Sequence, residues 1–544
     1  MGEHHVNHIN IIQIYLYLNM SMLSEYFNLY DKYCKEYGEK TVLLYQVGAF
    51  FEVYTKVDKN GKDVTDENII EYKKCTGLNQ AYKTEDTQML GFRDYMLDIY
   101  LHKILGADFT AVVYKQDRNE PNTTRSLHSI YSPGAYLQPD NVDGGGVNAS
   151  SSSNNSMCIW MYHTGYMLVI GISTFDVISG SSYIYEAVIE GSSALGGGAS
   201  GQSDTDTYTA KNKILSCPTT YDELERYIST HNPSEVVIVS NLRSDQVNAI
   251  EKYINLSGRK VHRKRDGEDE RVINATRQVY QKEVMQECFG SNVSEAIMND
   301  AATLQYSFGI QSFVYLLSFL SRHSPDIVSS LREPIFENNN RRMILANHSL
   351  KQLNIIGDGN HRGKMSCVSS FLNNCVTSMG RRLFKYNLLH PITDVKEIED
   401  RYSMIDFMLQ RDGKGFLIYE KLREIIKNTI DLDRFHRMIL INKVNPSTMY
   451  LLSQNLMELK DSIQYLNELE NVDALQSFIS DYLACSIRSV SLHFDMVDKS
   501  LFGLDNLRDL CDTVYTSISS TLCLEKCKFL NNMEIPLIYQ YRAI

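Results

Sequence analysis

The run Leu43 to Thr55 is dense in aromatic and aliphatic side chains and reads as a β-strand. Side chains alternate across a strand, so Tyr45, Val47, Ala49, Phe51 and Val53 make one uniformly apolar face that has to be covered. Leu44, Gln46, Gly48, Phe50, Glu52 and Tyr54 share the other, mixed face. Phe50 thus stands beside the Glu52 carboxylate. An exposed aromatic ring next to an acceptor can slide between nucleic-acid bases and hydrogen-bond one of them, a chemistry of distortion rather than hydrolysis. A core Phe beside a solvated Glu is the other reading, and the strand alone leaves both open.

At 544 residues the chain has length for several domains, each with a core of its own. Its 43% hydrophobic and 22% charged residues suit a globular protein, and only ten prolines leave room for long helices. The net charge of -12 excludes binding nucleic acid by bulk basicity, so any DNA contact has to be local. Of the eleven cysteines, the late pair Cys523 and Cys527 has no second pair to complete a zinc site, and reduced thiols in an intracellular compartment are expected. Asn10, Gln13, Asn19 and Ser21 interrupt the apolar stretch His8 to Leu23, so neither signal peptide nor membrane span is expected. A cytosolic, nuclear or organellar protein with no membrane partner follows from that reading.

Two low-complexity tracts divide the first half: 140–156, taken as a linker, and 190–209, taken as a loop insertion after the strand pair Met157 to Ile172 and Val177 to Val188. Before them, Met22 to Gly38 patterns as an amphipathic helix, Met89 to Leu105 as a second helix and Phe109 to Lys115 as a strand. From about Asn292 onward the apolar spacing turns helical, as in Ala301 to Ser321 and Met365 to Leu388. Asp431-Leu432-Asp433-Arg434 opens another helix, and Asn445-Pro446-Ser447 precedes one at Thr448 to Leu459. The fold class expected is multidomain, α/β followed by mostly α.

In this order, several of these segments resemble the MutS family of DNA mismatch-repair proteins. Gly48-Ala49-Phe50-Phe51-Glu52 is similar to the family's mismatch-reading motif. Met89-Leu90-Gly91-Phe92, Val112-Val113-Tyr114-Lys115-Gln116 and Ser132-Pro133-Gly134 resemble the rest of that first domain. Ile170 to Asp176 with Ser179-Gly180, then Asn232-Pro233-Ser234-Glu235-Val236-Val237, resemble the connector domain. Asn373 to Leu383, Pro391-Ile392, Ile398 to Arg401 and Asp431 to Arg434 resemble the helical lever, where Arg381 and Arg382 are given a packing role. The wording of the first domain is most similar to the branch found in giant viruses and coral mitochondria. Two positions depart from the family pattern: Ala49 stands where an acidic residue is usual, and Arg93 where Pro is frequent.

The resemblance implies an N-terminal extension at 1–24, a mixed α/β mismatch-recognition domain at 25–139 and, past the linker, an α/β connector at 157–285. It implies a long-helix core or lever domain at 286–500 and the start of a further clamp or lever region at 501–544. It makes Phe50 and Glu52 the DNA-binding pair, stacking on and hydrogen-bonding a mispaired base in a kinked duplex. The partners implied are double-stranded DNA with mismatches or small loops and a MutS-like chain in a homo- or hetero-dimer. The family's ATP and Mg belong to an ATPase domain with a Gly-x-x-x-x-Gly-Lys-Ser/Thr loop. No such loop occurs in this sequence: Gly357 to Met365 has Asp358 where the first Gly is needed and Met365 in place of the hydroxyl. Neither enzyme activity nor a cofactor is therefore expected on this chain, and no residue is assigned as catalytic or metal-binding. A regulatory remnant that partners an intact homologue, and a binder of branched or recombining DNA, are the alternatives. His4, His5 and His8 are read as solvated rather than metal-binding, and the basic run Arg259 to Arg265 sits beside mixed charge at Asp266 to Arg271, favouring a solvated face.

Overall fold

In the computed structural model the run Leu43 to Thr55 is a hairpin rather than one strand. The structure describes residues 22–441 apart from 57–66, 85, 117–123, 138–153, 191–214, 216, 257–258, 301–304, 324, 330, 338–346 and 358–362, together with Leu451, Leu452, Asn455 and Tyr465. Strand β1 (Thr41–Val47) turns at Gly48 and Ala49 into β2 (Phe50–Lys56). Gly48 takes φ +61°, the positive value a two-residue hairpin turn asks of its first residue and glycine supplies without strain. Register now pairs Tyr45 with Glu52 and Val47 with Phe50. Crossing the turn reverses the parity expected from an unbroken strand: Tyr45 and Val47 join Phe50, Glu52 and Tyr54, while Val42 and Leu44 join Phe51 and Val53 in the core. The Phe50 and Glu52 pairing survives because both lie on β2.

Around this hairpin a first sheet forms, in the order β3-β4-β2-β1-β5-β6. Its other strands are β3 (Ala81–Thr84), β4 (Thr87–Arg93), β5 (Thr110–Gln116) and β6 (Arg125–Tyr131). The segment expected as one helix from Met89 is split, with β4 first, then a short 3-10 turn (Asp94–Met96) and helix α3 (Leu97–Leu105). Leu90 and Phe92 alternate into the core as strand residues do. Helices α2 (Glu67–Thr76) and α3 cover the core face with Ile69, Tyr72, Leu101 and Ile104. Helix α1 (22–37) covers the opposite face: the Tyr26 ring meets Tyr45 and Tyr54 edge-on at 5.8 and 4.9 Å, and its hydroxyl donates to the Leu43 carbonyl.

A second sheet, in the order β11-β10-β7-β8-β9-β12, comprises β7 (Asn155–His163), β8 (Met167–Asp176), β9 (Ser182–Glu190), β10 (Glu235–Ser240), β11 (Lys260–Arg265) and β12 (Ile335–Phe336). The expected strand pair is thus three antiparallel strands, and β7 begins inside the stretch taken as linker. Helices α4 (Asp222–His231) and α5 (Ser244–Tyr253) pack Leu224, Tyr227, Ile228, Val247 and Ile250 on one face. Three further helices follow, α6 (Glu270–Ala275), α7 (Gln278–Phe289) and α8 (Ser291–Asn299). Helix α9 (Ser307–His323) then crosses the other face so closely that a Cβ on Gly171 of β8 would run into the Phe308 backbone.

Both sheets belong to one compact unit, within Met1–Val142 and Ser153–Asn338, and a buried carboxylate ties them together. Glu235, 1% exposed, accepts from the Ser132 hydroxyl at 2.5 Å and the Gly134 amide at 3.2 Å, both just past β6, and meets His262 Nε2 at 2.7 Å. Burial alone would raise this carboxyl. The His262 hydrogen bond and charge, with His323 and Ser132, outweigh burial and hold it at about 2. Beside it Lys260 donates to the Lys40 carbonyl at 3.0 Å, and Glu36 of α1 takes Arg322 at 2.7 Å and Arg271 at 3.4 Å.

The other unit, within Asp143–Ser152 and Asn339–Ile544, is mostly helical among its described residues, with an isolated bridge between Arg411 and Leu417. It contains α10 (Asn347–Gln352), α11 (Val368–Leu372), α12 (Ser378–Leu389), α13 (Val395–Met408), α14 (Ile418–Ile426) and α15 (Leu432–Leu440). The single helix expected over Met365 to Leu388 breaks between α11 and α12, where Asn373 Oδ1 accepts from the Cys375 amide and the Thr377 hydroxyl caps α12. Asp431 caps α15 and, with Asp433, grips the Arg382 guanidinium, a structural ion pair between α12 and α15. Among the described residues no helix is long and apolar enough to cross a membrane. His4, His5, His8, Cys523 and Cys527 lie outside the described residues, as do 140–153, 191–209 and most of Thr448 to Leu459.

Candidate nucleic-acid interface

The turn of the β1–β2 hairpin is fixed from three directions. Gln116, ending β5, accepts from the Gly48 amide at 3.1 Å through its side chain and donates its own amide to Gln46 Oε1 at 3.0 Å. Arg125 Nε, starting β6, donates to the Gln46 carbonyl at 2.6 Å, and its guanidinium lies 4.7 Å from the Tyr45 ring centroid. The Asp94 amide donates to the Ala49 carbonyl at 2.9 Å. A turn normally free to fray is therefore held by backbone and amide hydrogen bonds.

Phe50 is the first residue past this turn. Along its row of β2, Tyr54 and Glu52 are buried beneath the α1 side, while Phe50 at the tip is 42% exposed. Glu52 is 8% exposed. Its Oε2 accepts from the Tyr54 hydroxyl at 2.5 Å and from Lys83 Nζ at 3.0 Å, and among the described residues its Oε1 has no hydrogen-bond partner. Burial, then the Glu52 hydrogen bond and charge, push the Tyr54 hydroxyl well above the usual phenol range, so it remains a donor. Gly91 lies directly across from Glu52 on β4. A Cβ there would sit 3.1 Å from the Phe51 carbonyl oxygen and 3.5 Å from Glu52 Cγ, so glycine keeps the space over this side chain open.

The two residues singled out in the sequence, Phe50 and Glu52, are thus neighbours on one face. Sequence reasoning places Tyr54 on their face without giving it a role, and it misses Lys83. Tyr54 follows the same period-two rule and is within its reach, whereas Lys83 arrives from a strand two places away across β4, beyond any local pattern. Arg125 supports the turn, and Lys56 stands at the other end of β2 with its ammonium 4.7 Å from the Phe27 ring. The basic run on β11 is matched by carboxylates: Arg263 by Glu251 at 2.6 Å, Lys264 by Asp269 at 3.8 Å and Arg265 by Glu268 at 3.4 Å.

Comparison with known proteins matches residues 22–140 to MutS domain I and residues 348–534 to MutS domain III. The hairpin lies in the first of these. A MutS homologue of Acanthamoeba polyphaga mimivirus is 22% identical over 94% of this chain and 47% of its own length. The DNA mismatch repair protein MutS of Caldanaerobacter subterraneus is 22% identical over 88% of this chain and 47% of its own length. A mitochondrial DNA mismatch repair protein MutS homologue of Sarcophyton glaucum is 22% identical over 88% of this chain and 49% of its own length. The chain spans about half the length of these curated relatives. With both family domains matched in order and relatives aligned along most of its residues, this chain belongs to the MutS family of DNA mismatch-repair proteins.

Proposed function

We propose that this chain binds mismatched or looped double-stranded DNA for mismatch repair, with Phe50 as the wedge and Glu52 as the acceptor for the displaced base. The observation that carries the reading is an exposed ring at a hairpin tip pinned on three sides, with a carboxylate oxygen kept open one pleat behind it. A mispair weakens stacking, so a wedge that opens one base step meets a smaller penalty there than at a matched pair. Stacking of the ring on a base contributes about 1–3 kcal/mol. A rigid hairpin matters because a mobile ring would lose part of that gain in ordering entropy.

Lys83 and Tyr54 give Glu52 its part. By engaging Oε2, they orient the carboxylate and leave Oε1 to accept from a base, while the Lys83 ammonium offsets the repulsion a bare carboxylate would suffer from phosphates. Discrimination then arises from the difference between the two duplexes rather than from tight binding to either. In the complete family, ATP-driven closure of a dimer into a sliding clamp follows recognition; for this chain that step calls for a nucleotide site outside residues 1–544. The test is a duplex carrying 2-aminopurine beside a mismatch. Wild type should raise its fluorescence by unstacking it and Phe50→Ala should not; equal signals from both proteins would refute the wedge.

A further inference from the structure

Arg93 is the position where this chain departs from the family's frequent proline, and the fold places it directly across from Phe50, at the end of β4. It is exposed, and its guanidinium carbon lies 5.9 Å from the Phe50 ring centroid. Nearby cations are engaged elsewhere: Lys83 on Glu52, and Arg125 on the Gln46 carbonyl and the Tyr45 ring. Among the described residues the Arg93 guanidinium has no carboxylate within ion-pairing distance, and its partner there is the Phe50 ring. In a chain of net charge -12, an unneutralised guanidinium beside the exposed wedge is the kind of local positive charge that DNA affinity demands.

Geometry limits what it can meet. A ring pushed between two base pairs from the minor groove, about 6 Å wide, has the phosphates of that step on either side. Directly opposed strand residues have Cβ atoms about 4.5–5.5 Å apart, so a guanidinium on the neighbouring strand reaches a groove wall when the ring enters. Arginine also suits both surfaces, since its planar fork stacks on an aromatic face and binds two phosphate oxygens at once.

We propose that Arg93 is a positioning residue that holds the Phe50 ring in the free protein and passes to a backbone phosphate of the opened step when the ring inserts. This rests on the wedge reading. Its contact is made only with the ring inserted, so it strengthens binding to mismatched DNA and not to matched DNA.

The experiment uses the full chain and fluorescence anisotropy on matched and mismatched duplexes of one length, from 50 to 300 mM KCl. Arg93→Gln should flatten the slope of log affinity against log salt by about 0.9 on the mismatched duplex only, with roughly fivefold weaker binding at 150 mM. Arg93→Lys should restore the slope, and Arg93→Gln should change nothing further when Phe50 is already Ala. A packing role alone would leave the salt slope untouched, and circular dichroism checks that each variant is folded. An unchanged slope for Arg93→Gln, while Phe50→Ala still abolishes mismatch preference, overturns the Arg93 assignment and leaves the wedge standing. Retained preference in Phe50→Ala overturns both.

Discussion

Glu235 and Glu52 are nearly buried carboxylates of the same unit, and each accepts a hydroxyl hydrogen bond at 2.5 Å. Their surroundings differ in one respect. At the junction of the two sheets Glu235 uses both oxygens, Oε2 for Ser132 and the Gly134 amide and Oε1 for His262, and no room is left above it. On the hairpin Glu52 uses, among the described residues, only Oε2, and Gly91 keeps the adjacent space clear. A fully satisfied buried charge works as a fastener, because losing any partner exposes the whole desolvation penalty. A half-satisfied one at the rim still has an oxygen to offer to something outside the protein.

The sharpest way to break this contrast is truncation of each acid. Glu235→Ala strands Ser132, Gly134 N–H and His262 inside the junction and should cost about 3–5 kcal/mol in denaturant unfolding of the full chain. Acid unfolding sharpens the same point. Folding lowers the Glu235 carboxyl from 4.5 to about 2, so between those values the unfolded chain binds more protons. Its contribution, about 3 kcal/mol, is complete above roughly pH 4.5 and is lost as pH falls toward 2. His323 acts in the same direction at higher pH: burial lowers its pKa, so stability begins to fall as pH drops below about 6.5. Glu235→Gln should remove the lower of these two limbs in an unfolding series across pH, leaving the upper one.

Gly134→Ala attacks the junction sterically. A Cβ there collides with the Ser156 hydroxyl and the Glu235 Cβ, and overpacking of this kind costs about 1–3 kcal/mol, read as a lower Tm. The smallest stability effect belongs to the hairpin acid. Glu52→Gln keeps the shape and the Tyr54 contact while weakening the Lys83 bridge, and unfolding should shift by less than about 1 kcal/mol. Its effect should appear in mismatch preference instead.

The same contrast separates what the sequence discloses from what it hides. Phe50 and Glu52 are two apart, so strand alternation alone puts them side by side whatever surrounds them. The hairpin is less visible because Gly48-Ala49 is not among the strong turn dipeptides, and reading through it exchanges the faces of β1. The strand at Thr87–Arg93 hides within an apolar stretch that also fits helical spacing, although Leu90 and Phe92 alternate. The junction has no local signature: Ser132 and Glu235 are 103 residues apart and meet only because two sheets dock. Arg93 stands out in sequence as a departure from a pattern, but its place against the Phe50 ring depends on the β2–β4 register.

The most direct test of the central claim is the ratio of affinities for a mismatched and a matched duplex, measured by fluorescence anisotropy for wild type and Phe50→Ala. Wild type should prefer the mismatch, and truncating the ring should bring the ratio close to one, removing about 1–3 kcal/mol of discrimination. Equal preference in the two proteins would contradict the account: Phe50 would then be an exposed aromatic on a well-held hairpin and not the sensor of a mispaired base.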